Sequence, residues 1–360
     1  MSNRVPQASG YFRTNYGEDL ALTQSRSERV VLILFLIMLA GFPFLASAFY
    51  LDLACQVFLA SIGSLSLMLL TGFAGQISLG HAGLLAAGAF TAGILFKEYS
   101  APFWVTLPAA ALAGATLGVI FGLPSLRLRG LYLAVSTLAL HFVVIYIGGE
   151  YETKRGYSTG ILIDAPAIGS FKVTSGRVWY FVLLVFAAAT LLICVNLLRS
   201  RTGRAWRAIR AHETVAEALG INVAAYKLLA FVISSALAAL AGALFAYYRS
   251  FVSVEAFSLF LSIQYVAMVI IGGMGSLLGA LLGAVFVTLF PYLIEAALMQ
   301  MPGAQSYAGI LFALNYAAFG AVMILFLVFE PLGLVGIWRR LQNYFLLWPF
   351  KHRPLAGARK

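Results

Sequence analysis

Two glycine-rich segments interrupt long apolar runs, and they carry polar groups suited to holding a small ligand. The first runs from Thr71 to Gly83 and combines four glycines with uncharged hydrogen-bonding side chains; the second is Gly272–Ser276. Where a helix is interrupted, unwound backbone and half-helix ends can hold a carboxylate or an ammonium group without any formal charge. The alternative is that these glycines only permit close packing or a tight turn at the cytoplasmic surface.

A ligand pathway is predicted from both segments and from the polar part of one apolar run. His81 follows the first segment and His141 lies inside that run, where a polar side chain should face the bundle interior or a cavity. Each histidine is either a hydrogen-bonded structural group or part of the pathway. The candidate residues are Gly72, Gly75, Gln76, Ser78, Gly80, His81, Tyr132, Ser136, Thr137, His141, Gly272, Gly273 and Gly275.

A long polar stretch, Arg199–Asn222, is the second group of interest. Its part from Arg204 to Leu219 is rich in alanine, free of proline and followed by Gly220, which predicts a single helix over these residues. One side of that helix is apolar and the other is charged. Arg210 and Glu213 would be neighbours three residues apart on the charged side.

Two readings of this helix stay open. Glu213 and Glu217 would lie near its C-terminal end, against the helix dipole, so an arginine or lysine of a partner would explain them. On that reading the helix docks in a groove of a cytoplasmic motor. The alternative is a basic helix held on anionic lipid, with Trp206 as its anchor.

No residue spacing indicates catalysis. The chain has no phosphate-binding Gly-x-x-x-x-Gly-Lys-Ser/Thr motif, no His-Glu-x-x-His motif and no pair of carboxylates within one apolar run. Cys55 and Cys194 lie in separate apolar runs without metal-ligand spacing. We therefore expect no catalytic residues, no metal and no cofactor on this chain, and an energy source in an ion gradient or another subunit.

The composition determines what must position these residues. Of 360 residues, 62% are hydrophobic and 10% are charged, whereas soluble domains carry about 25% charged residues. This excludes a water-soluble enzyme and a disordered chain. The long unbroken apolar runs also exclude an outer-membrane barrel, whose strands alternate apolar and polar residues. An all-α polytopic membrane protein with glycine-rich broken helices remains.

Ten runs approach the roughly 20 apolar residues that a membrane-spanning helix needs. The third has only thirteen clearly apolar residues, Leu84–Phe96, and borrows polar residues to reach full length. The predicted spans are Val30–Phe49, Leu53–Leu70, Ser78–Phe96, Phe103–Leu123, Leu131–Ile147, Trp179–Leu198, Tyr226–Tyr248, Phe257–Ile271, Leu277–Leu298 and Ile310–Phe329.

Lysines and arginines orient these spans. With both termini in the cytoplasm, 18 of the 24 basic residues fall inside and 6 outside, as the positive-inside rule requires. The net charge of +11 is thereby a topology signal and predicts no nucleic-acid partner. The predicted organisation is a cytoplasmic segment 1–29, a transmembrane domain 30–336 and a basic cytoplasmic tail 337–360. The domain includes a cytoplasmic loop 199–225 and a periplasmic loop 148–178.

Four segments, in order and spacing, resemble the LivM-type permease subunits of branched-chain amino acid ABC importers. They are LTGFAGQISLGHAGLLAAGAF at Leu70–Phe90, SLRLRGLYLAVSTLA at Ser125–Ala139, GRAWRAIRAHETVAEALGINVAAYKLLAF at Gly203–Phe231 and IIGGMGSLLGALLGAVF at Ile270–Phe286. The family also includes importers of urea, amides and aromatic acids, so the resemblance leaves the substrate open. Many relatives carry an acidic residue and a Thr-Gly-Gly turn where this chain has His141 and the residues that follow it.

The resemblance implies a bacterial inner-membrane permease that pairs with a homologous LivH-type permease. Two ATP-binding subunits would hold ATP and magnesium beneath it, and a periplasmic protein would deliver substrate to the loop 148–178. The residues implied in coupling to the ATPase are Arg207, Arg210, Glu213, Thr214, Ala216, Glu217 and Gly220. Glu213 stands seven residues before Gly220, one more than in the general importer pattern.

Two alternatives remain, an ion-coupled secondary transporter and a membrane enzyme or scaffold. An ion-coupled secondary transporter of a small polar solute would work alone, but it needs buried ionisable relays, and acids are scarce away from the ends of the predicted spans. A membrane enzyme has no catalytic residues to support it, and a scaffold would not need two glycine-rich breaks.

Overall fold

The computed structural model describes residues 26–126, 128, 130–157, 160–168, 171–173, 175–299, 311–330 and 332–347. The predicted N-terminal segment up to residue 25, the tail from 348, and Arg127, Arg129 and Ile310 therefore lie outside the described residues. By its internal contacts the chain divides into two units, Ala48–Gly336 and the two chain ends.

Helices account for most of the described residues. They are accompanied by a π-helical turn, Met68–Phe73, and a 3-10 turn, Val254–Phe257. The helices are α1 (Arg26–Leu45), α2 (Ala48–Leu67), α3 (His81–Tyr99), α4 (Phe103–Ser125), α5 (Leu131–Arg155), α6 (Gly176–Arg199), α7 (Arg201–Ala211), α8 (Glu213–Ala218), α9 (Val223–Arg249), α10 (Leu259–Gly272), α11 (Leu277–Met299), α12 (Leu311–Phe329) and α13 (Gly333–Leu347).

The described helices make this an all-α protein that crosses the membrane several times. Within the described residues, seven helical stretches are long and apolar enough to span a bilayer, and Ile33–Leu45 and Tyr316–Phe326 are shorter apolar helices. Each of the ten predicted spans overlaps a described helix. The third prediction needed polar residues to reach full length, and the structure explains this because α3 begins only at His81.

Small residues let α9 pack against α3 and α4 with almost no gap. A β-carbon built at Gly88 of α3 would lie 1.8 Å from the carbonyl oxygen of Ala239, and one at Gly242 of α9 would lie 1.8 Å from that of Leu85. On α4, a β-carbon at Gly114 would lie 2.4 Å from the carbonyl oxygen of Ser235. Because hydrocarbon gives helices no hydrophobic drive to associate, such close backbone approach supplies the packing energy.

The predicted loop 148–178 is partly helical and partly paired. Helix α5 continues to Arg155, eight residues past the predicted end of that span. Strand β1 (Ile161–Leu162) then pairs antiparallel with β4 (Phe251–Val252), and β2 (Ala167–Ile168) pairs with β3 (Phe171–Lys172). The β1–β4 pair joins this loop to the end of α9, a contact for which the sequence carries no local signal.

Candidate functional site

The first glycine-rich segment is a true interruption. After the π-helical turn the chain is irregular until α3 begins at His81, and Gly75 has a positive φ of 72°. The segment packs against α5, because the backbone N–H of Leu79 donates to the hydroxyl of Thr137 at 2.9 Å. A β-carbon at Gly80 would lie 1.9 Å from the carbonyl oxygen of Thr137, so only glycine fits there.

The second segment separates α10 from α11. Gly273 and Gly275 have φ values of 113° and 89°, a conformation that favours glycine. A β-carbon at Gly272 would lie 2.0 Å from the carbonyl oxygen of Gly279, in the next helix. The backbone here makes a sharp turn under tight packing, and the role of these glycines in a ligand pathway stays a prediction.

The two segments touch each other. The backbone N–H of Gly275 lies 3.3 Å from the sulfur of Met68, in the π-helical turn. A β-carbon at Gly72 would lie 3.1 Å from the backbone nitrogen of Gly275. The structure thus brings together two segments that are about two hundred residues apart in the sequence.

Arg210, at the end of α7, contacts both segments. Its guanidinium donates a hydrogen bond to the carbonyl oxygen of Gly72. A β-carbon built at Gly275 would lie 2.6 Å from Nη1 of Arg210. A β-carbon built at Gly75 would lie 3.4 Å from Cγ of the same arginine. We predicted these glycines as pathway residues and Arg210 as a coupling residue. The sequence did not predict that Arg210 would contact the glycines.

The predicted single helix after α6 is two helices, so that prediction was wrong. His212 adopts an extended conformation, with φ −154° and ψ 106°, and separates α7 from α8. Arg210 and Glu213 are therefore not neighbours on one helix. The predicted end of the helical region at Gly220 agrees with the structure, since α8 ends at Ala218 and Gly220 has a positive φ of 81°.

The break at His212 reverses the electrostatics predicted for Glu213. This carboxylate lies in the first turn of α8, where the helix dipole favours a negative charge. It also pairs with Lys227 of α9, with its Oε1 2.7 Å from Nζ. Glu213 needs no basic partner from another chain, whereas Glu217 is exposed at the other end of α8.

Helix α7 docks on the protein itself and not through a tryptophan in lipid. Trp206 is fully buried, and its indole N–H donates to the carbonyl oxygen of Tyr226 at 2.9 Å. The guanidinium of Arg207 donates to the carbonyl oxygen of Leu198, near the end of α6. In α8, Ala216 is buried and Thr214 is exposed. The lipid-anchor alternative for Trp206 is therefore wrong.

His81, at the start of α3, is fully buried against α2 and α10. Its Nε2 lies 2.8 Å from the hydroxyl of Ser66 and 3.0 Å from the carbonyl oxygen of Gly63. Its ring meets that of Tyr265 edge-on, with centroids 5.4 Å apart. These contacts describe a histidine that ties α3 to α2 and α10.

The other predicted pathway residues divide by exposure. His141 and Thr137 are buried on the side of α5 that faces α3, and a β-carbon at Gly83 would lie 2.6 Å from the Cα of His141. Ser136 is half-buried, and Tyr132 is 76% exposed and separate from this cluster. Within the described residues, four buried polar atoms of this set have no hydrogen-bond partner: Gln76 Oε1, Ser78 Oγ, His81 Nδ1 and His141 Nδ1.

Comparison with known sequences identifies the family. Residues 49–327 match the family described as the permease component of branched-chain amino acid transport systems. The chain belongs to this permease family. The high-affinity branched-chain amino acid transport permease LivM of Escherichia coli is 31% identical over 87% of this chain and 76% of its own length.

Two archaeal relatives extend the comparison of this permease. The probable LivM of Methanocaldococcus jannaschii is 31% identical over 63% of the chain and 66% of its own length. The probable LivH permease of the same organism is 26% identical over 71% of the chain and 82% of its own length. No solved structure matches the chain. The region that matches the permease family contains both glycine-rich segments and Arg210, and it falls within the unit Ala48–Gly336.

Proposed function

We propose that this permease is one of two permease subunits in an ABC importer of the bacterial inner membrane. Ten spans with both termini in the cytoplasm agree best with the distribution of lysine and arginine. A LivH-type chain forms the other half of the membrane core, since the relatives include both LivM and LivH permeases. ATP and magnesium bind to two separate subunits, and this chain binds no cofactor.

The contact of Arg210 with both glycine-rich segments is the observation that carries this proposal. It connects the surface helices α7 and α8 directly to the two places where the membrane helices are interrupted. A subunit that pushes on α7 from the cytoplasm would thereby move both interruptions at once. An energy source outside the chain requires such a link, whereas a transporter that works alone does not.

The exposed side of α8 is the proposed contact for the ATPase. Val215 and Leu219 are 54% and 75% exposed, and Glu217 and Thr214 are exposed beside them. Apolar side chains surrounded by polar ones are the usual composition of a protein interface. On its other side, α8 is held to the bundle by the ion pair between Glu213 and Lys227.

Transport by alternating access follows from this arrangement. ATP binding closes the two ATPase subunits, α7 and α8 move with them, and Arg210 transmits the shift to the carbonyl of Gly72 and to Gly275. The helices that begin or end at the two segments are α2, α3, α10 and α11. Their displacement reopens the pathway toward the other side of the membrane.

A periplasmic protein delivers the substrate at the opposite end of these helices. There α5 carries Glu150 and Lys154, paired at 3.0 Å, and Arg155, which lies 3.3 Å from Glu98 of α3. Exposed pairs of this kind contribute little stability but suit a polar, transient interface. The substrate class we propose is a branched-chain or other small amino acid, as the names of the LivM relatives indicate.

The test is purification of the tagged chain from native membranes in mild detergent. A second permease and an ATPase should co-purify, and the reconstituted complex should import leucine only with ATP and the periplasmic protein. Uptake by this chain alone, driven by an ion gradient in liposomes without an ATPase, would overturn the proposal in favour of secondary transport.

A further inference from the structure

A cavity of about 270 Å³ opens between α2, α3, α9, α10 and α11. Its walls are mostly apolar and include Leu59, Phe245 and Met268. The cavity is far along α9 from the coupling contacts, because it is lined by Arg249 at the end of that helix, whereas Lys227 lies in its first turns. None of the residues that we predicted from the sequence lines it.

Opposite charges stand together beside the cavity. The guanidinium of Arg249, which lines it, is 4.0 Å from a carboxylate oxygen of Asp52. That separation is beyond hydrogen-bond distance, and the two side chains are 43% and 41% exposed. Asp52 is held in place by Gln56, whose Nε2 donates to it at 2.7 Å, and by the hydroxyl of Tyr248. The guanidinium and the carboxylate therefore face each other without a direct hydrogen bond between them.

An amino acid zwitterion matches this arrangement group by group. Its carboxylate suits the guanidinium of Arg249, since arginine binds carboxylates through two parallel hydrogen bonds. Its ammonium group suits Asp52, which does not itself line the cavity but contacts two residues that do, Gln56 and Arg249. An aliphatic side chain suits the apolar walls. A concave, mainly apolar site with a few polar groups that fix orientation is also the usual make-up of a small-molecule site.

We propose that this cavity binds a zwitterionic amino acid with an apolar side chain, with Arg249 and Asp52 holding its charged groups. The inference rests on the proposed function, for which it supplies a substrate site within this subunit. It also predicts selectivity, because an acid without the ammonium group or an amine without the carboxylate would leave one of the two charges without its partner. A lipid acyl chain would contact the apolar walls but would pair with neither charged group.

Cysteine labelling tests the site without relying on transport. Ala256 lines the cavity and is exposed, so Ala256→Cys should react with a small methanethiosulfonate reagent. Cys55 and Cys194 are buried free cysteines, and the unsubstituted chain provides their background. The measurement uses the co-purified complex in nanodiscs. Leucine at ten times its dissociation constant should slow labelling about tenfold, because labelling reports the unoccupied fraction.

Analogues and a matched pair of arginine variants sharpen this test. 4-Methylpentanoate and 3-methylbutylamine, at the same concentration as leucine, should protect little. Adding Arg249→Gln should abolish protection by leucine, whereas Arg177→Gln, an exposed arginine that does not line the cavity, should retain it. Gln264→Cys, also in the lining, repeats the measurement should Ala256→Cys not assemble.

The two proposals fail in different ways. If the complex imports leucine with ATP but leucine never slows labelling, the cavity is not the site and the proposed function stands. Equal protection by 4-methylpentanoate shows that the ammonium group is not recognised and overturns the inference. Protection by a fatty acid but not by leucine assigns the cavity to a lipid chain and also overturns it. Protection by leucine in a complex that imports no amino acid supports the cavity and overturns the proposed function.

Discussion

The guanidinium of Arg210 binds the backbone carbonyl of Gly72, which precedes it by 138 residues. Gly72 lies in a π-helical turn and Arg210 at the end of a helix on the surface of the bundle. Gly275, from the second glycine-rich segment, packs against the same guanidinium. One side chain therefore joins three parts of the chain at a single junction.

Replacing Arg210 should uncouple ATP hydrolysis from transport. Arg210→Ala removes a hydrogen bond from a charged group, which is worth about 1.5–3 kcal/mol, and frees the carbonyl of Gly72. We expect uptake per ATP hydrolysed to fall by about tenfold or more, since about 1.4 kcal/mol corresponds to a factor of ten. Uptake and ATPase activity are measured together in proteoliposomes.

The control for Arg210 is Arg204→Ala. Arg204 lies on the same helix but donates to the carbonyl of Arg199, within its own loop. The Arg204→Ala variant should keep nearly the original ratio of uptake to ATP hydrolysis. An unchanged ratio in Arg210→Ala as well would show that the junction does not transmit motion.

An added methyl group at Gly275 should damage the same junction from the other side. Gly275→Ala places a β-carbon 2.6 Å from Nη1 of Arg210 and adds the strain of a positive φ. The matched control is Gly156→Ala, which has a φ of 73° but nothing within 4 Å of the added carbon. The backbone strain, about 1–2 kcal/mol, is common to both.

The difference between the two glycine variants therefore isolates the contact with Arg210. We expect Gly156→Ala to transport at close to the normal rate and Gly275→Ala to lose most of its uptake while still reaching the membrane. Uptake is normalised to the amount of complex in the membrane. Equal losses in the two variants would assign the effect to backbone strain alone.

The ion pair between Glu213 and Lys227 should respond to charge exchange. The two side chains are only 29% and 13% exposed, so the pair is less screened than one at the surface. Glu213→Lys and Lys227→Glu each place like charges together and should lower both the midpoint of thermal unfolding and the coupling ratio. The double exchange restores opposite charges and should recover part of both.

A double-mutant cycle measures that recovery. We expect an interaction free energy of about 1 kcal/mol, at the upper end of values for partly exposed pairs. Glu217→Lys, which changes an exposed carboxylate of the same helix, should leave the unfolding midpoint unchanged and weaken ATPase binding. If the double exchange is no better than the single ones, the pair does not hold α8 to α9.

Close packing of α9 should make Gly242 intolerant of any side chain. In Gly242→Ala the new β-carbon would lie 1.8 Å from the carbonyl oxygen of Leu85, so α3 and α9 must move apart. We expect a loss of about 1–3 kcal/mol, typical of overpacking, seen as low yield and a lower unfolding midpoint in detergent. Gly320→Ala in α12, with nothing within 4 Å, is the control. Equal midpoints for both variants would contradict the packing of α9.

Local signals explain what could be predicted from the sequence. Runs of apolar residues mark helices that cross a membrane because the bilayer requires each helix to satisfy its own backbone. Seven helical stretches in the described part of the chain are long and apolar enough to do so. Glycines mark the interruptions because Gly75, Gly273 and Gly275 have positive φ. The end of the surface helices near Gly220 was visible for the same reason.

The break at His212 could not be predicted in this way. Nothing in the residues from Arg204 to Leu219 disfavours a continuous helix, so helix propensity alone extends it. In the structure, Trp206 is buried on one side of the break and Glu213 pairs with Lys227 on the other. Tertiary contacts of this kind outweigh a propensity of a few tenths of a kcal/mol per residue.

The sequence by itself determined the class of protein, the membrane helices, the two interruptions and the family resemblance. Only the tertiary structure decided that Arg210 meets Gly72 and Gly275, and that Arg249 and Asp52 stand beside a cavity. The physical reason is the range of the interactions. Helices and turns follow from neighbouring residues, whereas these contacts join residues up to 203 positions apart (Gly72 to Gly275), which meet only when the bundle is packed.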